Sequence, residues 1–246
     1  MPTNIGRSKR QIFDYIQERI WKKLKGWKEK HLSSAGRSTL IQAIAQAIPT
    51  YIMSCFHLLK TFCQYIEKII CKFWWGSSID RSKIHWIKWN TLCKNKKQGD
   101  LGFRDLSHFN EALLAKQSWR LITNDNSLLA RMYKAKYHPK CSFLETKQLS
   151  NTGFTWRSIL KARNLIHKGS FWVVGNGSKI NIWKDPWLPN QNGFKTWTPK
   201  PSTTHLNLVQ DLIDQDSLTW KTDTIKELFF PFKAKQIFQI PITPQL

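Results

Sequence analysis

Residues 51–75 read YIMSCFHLLKTFCQYIEKIICKFWW, and their apolar side chains recur at intervals of three and four residues. This spacing places one apolar stripe along an α-helix and directs it towards a core. The side chains on the predicted stripe are Cys55, Leu58, Phe62, Ile66, Ile69, Ile70 and Phe73. The run therefore predicts a helix that packs against other elements of the fold.

Further helices are predicted on both sides of this run. Upstream, residues 8–30 form a basic amphipathic helix, and a second helix ends at Pro49, which cannot continue it. Downstream, a short helix is expected over residues 84–93, and Asp105 or Ser107 caps the next one. On that helix Phe109, Leu113, Leu114, Gln117 and Leu121 share a face. The first half therefore reads as helical, and a further helix is predicted over residues 127–137.

The pattern changes in the second half of the chain. A helix over residues 155–167 precedes two β-rich runs, 170–174 and 179–183, that flank the glycine–asparagine turn 175–177. Such a pair predicts a β-hairpin. Residues 190–204 read as a linker, and residues 206–238 hold one or two short helices. The predicted fold class is mainly α with one β-hairpin in the C-terminal half.

The composition predicts a polyanionic partner. The chain has 246 residues, of which 41% are hydrophobic, and 39 Lys+Arg against 16 Asp+Glu give a net charge of +23. Charge of this size indicates nucleic acid first and an anionic membrane surface second, because the cations are spread along the chain. Nucleic acid is therefore the predicted partner and a membrane is not, and separately no run is long enough to span a membrane. No small-molecule substrate is indicated either.

Cysteine usage and the N-terminus predict an intracellular protein. The five cysteines form no C-x-x-C and no zinc-type Cys/His array, which favours buried, reduced thiols and no metal site. The first residues lack the apolar run of a secretory signal. They are basic enough for a mitochondrial presequence, but Asp14 and Glu18 count against one. The nucleus or the cytoplasm is therefore predicted over the mitochondrion.

Residues 73–121 alternate aromatic and basic side chains, a pattern typical of a surface for nucleic acid. The predicted phosphate contacts lie here and on the first helix. They are Arg7, Lys9, Arg10, Lys22, Lys23, Lys28, Lys30, Lys83, His85, Lys88, Lys94, Lys96, Lys97 and Arg104. Trp74, Trp75, Trp86, Trp89 and Trp119 can stack on bases, but helical spacing favours the core for most of them. His85 has no nucleophile or acid at catalytic spacing, so no catalytic residue is predicted.

Several blocks resemble the segment that follows the reverse-transcriptase palm in plant LINE-type (non-LTR) retrotransposons. They include FWWG, HWIKW, LGFRDLSHFNEALLAKQSWRL, SLLARMYKAKY, TWRSI and GNGSKINIWKDPWLP, in the family's order, over about residues 5–190. Similar stand-alone open reading frames occur in plant genomes, including mitochondrial ones. The chain departs from the family at Leu59, where a proline is usual, and at Asp100, where a glycine is usual.

The resemblance implies a helical thumb- and connection-like bundle that grips a template–primer of RNA or DNA and packs on a palm domain. It divides the chain into a nucleic-acid-binding region, 1–150, a connecting region, 151–190, and an approach to an absent zinc-binding segment, 191–246. The family's catalytic Asp-Asp pair is missing from the chain. No polymerase activity and no cofactor are therefore expected. A functionless remnant of a decayed element and a domesticated nucleic-acid-binding protein are the alternatives.

Overall fold

The computed structural model describes residues 9–28, 32–76, 83–147, 151–189, 194, 199–202 and 204–243, with the side chains of 9–12 and 28 excepted. The chain forms two compact units, Met1–Ile166 and His167–Leu246. The division into three functional regions stays a prediction.

The described residues are mainly helical, as predicted, with one antiparallel strand pair near the C-terminus. The first unit contains α1 (Lys9–Lys28), α2 (Ser34–Leu40), α3 (Thr50–Met53), α4 (Lys60–Trp74), α5 (Trp89–Leu92), α6 (Leu106–Thr123), α7 (Leu128–Tyr137) and α8 (Phe154–Lys161). They are followed by α9 (Arg163–Gly169), α10 (Thr222–Leu228) and α11 (Pro231–Phe238). A π-helical turn, Ile41–Ala45, continues α2, and 3-10 turns occur at Lys96–Gln98, Phe143–Glu145 and Val209–Leu212. The strands are β1 (Ile213–Asp214) and β2 (Thr219–Trp220).

Helix α4 lies in the main core of the first unit. Its buried side chains are Phe62, Cys63, Ile66, Ile70, Cys71 and Phe73, and most of them pack with Ile16, Ile20 and Leu24 of α1 and with Leu106 of α6. Of the predicted stripe, Cys55 and Ile69 are only half-buried. The apolar periodicity therefore identified the core face of this region.

The prediction of one helix over residues 51–75 is wrong in one respect, because the helix is interrupted between Met53 and Lys60. The buried side chain of Asn110 supplies the reason. Its Nδ2 donates to the carbonyls of Met53 (2.7 Å) and Phe56 (2.9 Å), and its Oδ1 accepts from the backbone N–H of Leu58 (2.8 Å). These bonds satisfy the polar backbone where the helical ladder stops.

A second core in the first unit surrounds Trp156. The indole lies 4.6 Å from the ring of Tyr137 and 5.6 Å from that of His138, both nearly parallel to it, while Phe143 meets it edge-on. The predicted helix over residues 155–167 is divided at Ala162, where α8 ends and α9 begins. This core joins α6, α7 and α8.

In the second unit the hairpin occurs at a different place from the predicted one. Residues 170–174 form no strand, and residues 179–183 pair instead with the segment around Leu208. Ile182 N–H donates to Asn207 O (2.9 Å), and Val209 N–H donates to Ile180 O (2.9 Å). The strand pair is β1–β2, with Ile213 opposite Trp220.

The physical reason is burial. Of residues 171–174 only Val174 enters the core, while Phe171, Trp172 and Val173 are exposed. By contrast Ile180, Ile182, Val209, Leu212 and Ile213 are buried together with Trp187, Leu188, Ile225, Phe229 and Ile237. The pairing that forms is therefore the one that closes this core. Most of the predicted linker, 190–204, lies outside the described residues.

Candidate nucleic-acid interface

Residues 83–88 are exposed on the first unit and form no helix, so the helix predicted over 84–93 is wrong for most of its length. Only Trp89–Leu92 is helical. Trp86 is 78% exposed and Ile84 is 70% exposed, whereas Leu92 is buried. The apolar spacing that suggested a helix therefore reflects two environments, a core for Leu92 and solvent for Trp86.

Phe103 anchors the following loop to the core. Its buried ring stacks on Trp89 at 5.3 Å and meets Trp74 edge-on at 5.5 Å. The Phe103 N–H donates to the carbonyl of Leu92 (3.1 Å). Trp74 and Trp89 thus serve the core, as predicted for most of the tryptophans, whereas Trp86 and Trp119 are exposed.

The loop 94–102 presents three lysines from a fixed backbone. The side chain of Asn95 accepts from the N–H of Lys97 (3.1 Å) and starts a 3-10 turn, which ends at Gly99 with φ +87°. Gly102 N–H donates to Lys94 O (3.0 Å) and closes the loop. Lys94, Lys96 and Lys97 are all exposed. The loop therefore holds three cations close together in solvent.

Arg104 follows this loop and is held at its backbone. Gln46 is fully buried, its Nε2 donates to Arg104 O (3.0 Å), and its Oε1 accepts from Arg104 N–H (3.2 Å). The Arg104 guanidinium carbon lies 4.6 Å from the centre of the Phe109 ring. Gln46 was missed by sequence reasoning, because a polar residue on a predicted apolar helix does not reveal a distant partner.

His85 and Lys83 lie beside the end of α4. The His85 ring stacks on Trp75 at 5.8 Å, and its Nδ1 lies 3.7 Å from the buried Sγ of Cys71. Burial raises the pKa of the Cys71 thiol. Lys83 reaches back to Gly76, near which the guanidinium of Arg37 also lies. Arg37 is a further cation that the sequence did not single out.

On α1 the structure places only part of the predicted basic face. Lys22 and Lys23 are exposed, and Lys22 Nζ pairs with Glu18 Oε1 at 2.7 Å. The hydrogen bond from Lys22 lowers the pKa of the Glu18 carboxyl. Lys9, Arg10 and Lys28 lie within the helix without described side chains, and Arg7 and Lys30 lie outside the described residues. Their contacts stay predictions.

The basic stretch 83–104 is nearly free of acid. It contains six lysine and arginine residues and one acid, Asp100. Within the described part of the chain, the lysines and the arginine from Lys88 to Arg104 form no ion pair. The neighbouring Asp105 is engaged at the start of α6, where its Oδ1 accepts from His108 N–H (2.9 Å). The positive charge from Lys88 to Arg104 is therefore exposed to solvent and forms no ion pair among the described residues.

Among the described residues, no group of three or more His, Cys, Asp or Glu side chains lies close enough together to hold a metal ion. Burial raises the pKa values of Cys63 and Cys93 to about 12, so these thiols stay protonated at neutral pH. None of the described helices has the length and apolar character that crossing a membrane requires. The site that the structure does offer is the exposed basic stretch.

Comparison with known proteins places the chain in a family of plant proteins. It is 40% identical over 146 residues to "Uncharacterized mitochondrial protein AtMg00310" of Arabidopsis thaliana. The match covers 59% of this chain and 95% of that protein. Because almost the whole of that protein is matched, the chain belongs to its family. No family model matches the chain. No solved structure is similar to it.

A longer plant protein is also similar. The chain is 35% identical over 192 residues to "Putative ribonuclease H protein At1g65750" of Arabidopsis thaliana. The match covers 76% of this chain but 31% of that protein. The chain thus spans about a third of the length of this relative, and its similarity extends over most of the first unit's length and beyond.

Proposed function

We propose that this chain is the nucleic-acid-binding segment downstream of a retrotransposon reverse-transcriptase palm, and that it binds RNA or DNA template–primer without strong sequence preference. It carries out no polymerisation itself. The observation that carries the proposal is the stretch 83–104, where the exposed Trp86 is followed by exposed lysines and an arginine, Lys88 to Arg104, that form no ion pair among the described residues.

The geometry of this stretch fits phosphate contacts better than base reading. Lysines on a fixed loop neutralise phosphates wherever the backbone passes, whereas sequence reading requires donors aimed at base edges. The exposed indole of Trp86 adds a surface on which any base can stack. Binding is therefore dominated by electrostatics and tolerates many sequences.

The relatives are consistent with this role. The longer relative is named as a putative ribonuclease H protein, and a ribonuclease acts on nucleic acid. A domain that holds nucleic acid beside a catalytic region suits such a protein. A palm domain is accordingly the proposed protein partner, and primer extension by the isolated chain with Mg²⁺ or Mn²⁺ would contradict the non-catalytic role.

The proposed location is the nucleus or the cytoplasm, although the shorter relative is named as a mitochondrial protein. A fluorescent fusion in plant cells decides between these compartments. Signal that coincides with a mitochondrial marker would overturn the location without affecting the binding proposal.

The binding proposal is tested by removing the three loop lysines together. In K94Q/K96Q/K97Q, the slope of log K against log salt should become shallower by about 2 to 3, since each lost phosphate contact removes about 0.7 to 0.9. The matched control, K134Q/K136Q/K140Q, removes three exposed lysines from the end of α7 and the turn after it.

The control should retain the wild-type slope for both single- and double-stranded RNA. If the slope of log K against log salt becomes shallower by the same amount in both triple variants, net charge alone governs binding. That result would contradict an interface at residues 83–104. Absence of any salt-sensitive binding by the wild-type chain would favour the functionless remnant.

A further inference from the structure

Helix α6 follows the basic stretch in the chain and carries further exposed cations. Its exposed side chains are His108, Glu111, Ala112, Lys116, Trp119, Arg120 and Thr123. Among the described residues, neither Lys116 nor Arg120 forms an ion pair. Arg120 Nη1 lies 3.5 Å from the neutral Gln117 Oε1. The exposed positive charge of the first unit therefore does not end at Arg104.

Arg104 connects the basic stretch to α6. Its guanidinium carbon lies 4.6 Å from the centre of the Phe109 ring, and its backbone is held by the buried Gln46. Phe109, Lys116 and Arg120 share one side of α6, because seven residues make about two helical turns and four more make about one. At about 1.5 Å per residue, Lys116 lies about 10 Å and Arg120 about 16 Å along the helix from Phe109. Arg104, Lys116 and Arg120 therefore form a row of cations.

The exposed acid of α6, Glu111, lies on another side of the helix. It is separated from Lys116 by five residues and from Arg120 by nine, which places it about 140° and about 180° around the helix axis from them. Burial lowers the pKa of His57, and the carboxylate of Glu111 partly opposes that shift. Glu111 therefore lies near His57 and away from the row of cations.

The acids at the two ends of α6 leave the row positive. Asp105, next to Arg104, accepts from the N–H of His108 (2.9 Å), and its Oδ2 lies 3.0 Å from the ring nitrogen of the same residue. Asp125 lies in the turn after the helix, beyond Arg120. Three cations thus stand against one carboxylate, Asp105, that already has hydrogen-bond partners.

Trp119 adds an aromatic surface beside the row. Its indole is 47% exposed. It lies three residues from Lys116 and next to Arg120, so a base stacked on the indole would place its phosphates near these two cations. Bases within a duplex are already stacked on both faces, so only an unpaired base, or one that has left the stack, can reach the indole. The surface therefore suits a single strand.

We infer that an unpaired strand of RNA or DNA continues from the basic stretch 83–104 along α6, with its phosphates beside Lys116 and Arg120 and one base stacked on Trp119. The inference rests on the proposed function and extends its site by one helix. Charge complementarity favours a polyanion as the occupant, because the row of cations lacks ion-pair partners among the described residues beyond Arg104. Its length of about 16 Å corresponds to about five nucleotides at 3.4 Å per step.

Ultraviolet cross-linking locates the strand on the protein. The probe is a single-stranded 12-mer that carries 5-iodouracil, which couples on irradiation to an aromatic side chain stacked on it. Trypsin cleaves after Lys116 and after Arg120, so mass spectrometry should find the peptide of residues 117–120 joined to the nucleotide. The same 12-mer annealed to its complement should not give this product.

Affinity gives an independent measurement on the same 12-mer. In K116Q/R120Q, the slope of log K against log salt should become shallower by about 1.4, since two single-strand phosphate contacts are lost. W119A should bind about fivefold or more weakly, whereas W119F, which keeps a ring, should retain most of the affinity. The matched control R131Q/K134Q removes two exposed cations from α7 and should keep the wild-type slope. Urea unfolding shows whether each variant is folded.

Cross-linking that avoids residues 117–120, or equal slopes in K116Q/R120Q and R131Q/K134Q, would overturn the extension of the site along α6. Equal cross-linking of the single-stranded and the duplex 12-mer would overturn the requirement for an unpaired strand. If K94Q/K96Q/K97Q still makes the slope shallower in either case, the proposed function stands without this inference. If the wild-type chain shows no salt-dependent binding at all, both fail.

Discussion

Two buried polar side chains, Gln46 and Asn110, connect the core of the first unit to the chain segments around it. Each makes hydrogen bonds to backbone groups more than 50 residues away in the sequence. Gln46 fixes the backbone of Arg104, and Asn110 fixes the turn between α3 and α4. Because buried backbone groups need partners, these two amides determine where neighbouring helices stop and where the basic stretch is attached.

Replacing Asn110 by alanine should destabilise the first unit strongly. The change removes three hydrogen bonds and leaves buried backbone groups of Met53, Phe56 and Leu58 without partners, at a cost of about 3 kcal/mol or more. Urea unfolding monitored by circular dichroism measures the change. The exposed Asn164 provides the control, since N164A should shift the midpoint little. Equal midpoints for N110A and wild type would contradict the role of this amide.

Replacing Trp86 by alanine should weaken nucleic-acid binding without a loss of stability. The indole is largely exposed, so its removal leaves no cavity, whereas a stacked base would lose about 1–3 kcal/mol. Fluorescence anisotropy with a labelled single-stranded RNA gives the affinity. L128A, which removes another strongly exposed apolar side chain, should bind as wild type does. Unchanged affinity in W86A would exclude Trp86 from the interface.

At the scale of elements, helices α4 and α6 meet through a carboxylate. Glu67 Oε1 on α4 accepts from the N–H of Leu106, the first residue of α6, at 2.7 Å. Burial raises the pKa of the Glu67 carboxyl above its ordinary value of 4.5. A raised pKa means that the folded chain favours the protonated form. The stability from this preference is present below pH 4.5 and is lost as the pH rises through the folded-state pKa.

E67Q should therefore be more stable than wild type at pH 7, because the amide keeps an acceptor oxygen for Leu106 and carries no buried charge. This gain in the free energy of unfolding should shrink as the pH falls through the folded-state pKa of Glu67, because the wild-type carboxyl then becomes neutral as well. Urea unfolding between pH 4 and pH 8 measures it, with the exposed Glu111 changed to glutamine as the control. A gain that does not vary with pH would show that charge at Glu67 is not its cause.

In the second unit, Gly177 permits the chain crossing that replaces the predicted hairpin. Its φ is +74°, and a Cβ here would lie 2.7 Å from the carbonyl carbon of Val209 and closer still to the backbone nitrogen of Gln210. Gln210 N–H donates to Gly177 O at 3.2 Å. Only glycine combines this backbone conformation with so close an approach.

G177A should destabilise the second unit, by about 1–3 kcal/mol from the left-handed backbone alone and more from the clash. Limited proteolysis followed by mass spectrometry shows where stability is lost. Cleavage is expected within the second unit, which begins at His167, rather than in the first. G169A is the matched control, because nothing approaches that position and it lies in α9. Cleavage that appears equally in both units would contradict a local effect.

The sequence predicted the elements that depend on local periodicity. The core faces of α1 and α4, including Ile16, Ile20 and Ile66, follow directly from their spacing. Pairings between distant segments were not predictable in the same way. The composition of residues 170–174 suggested that they pair with residues 179–183. In the structure, residues 179–183 pair instead with the segment around Leu208. Trp86 and Arg37 show the same limit at the site, since spacing does not reveal which apolar residue lacks a core or which distant cation lies near Gly76.

At the scale of the whole molecule, the net charge of +23 is the dominant property. Self-repulsion of this size opposes compaction, and binding of a polyanion relieves it. The structure concentrates part of that charge in one exposed stretch of the first unit, where acids are nearly absent. Affinity for nucleic acid is therefore expected to follow counterion release rather than base sequence.

The most direct test measures binding of the wild-type chain to two single-stranded RNAs of equal length and unrelated sequence, from low to high salt. We predict linear plots of log K against log salt with equal, steeply negative slopes, and affinities that agree within about threefold because phosphates dominate. A flat response to salt, or a large preference for one sequence with a shallow slope, would contradict the account.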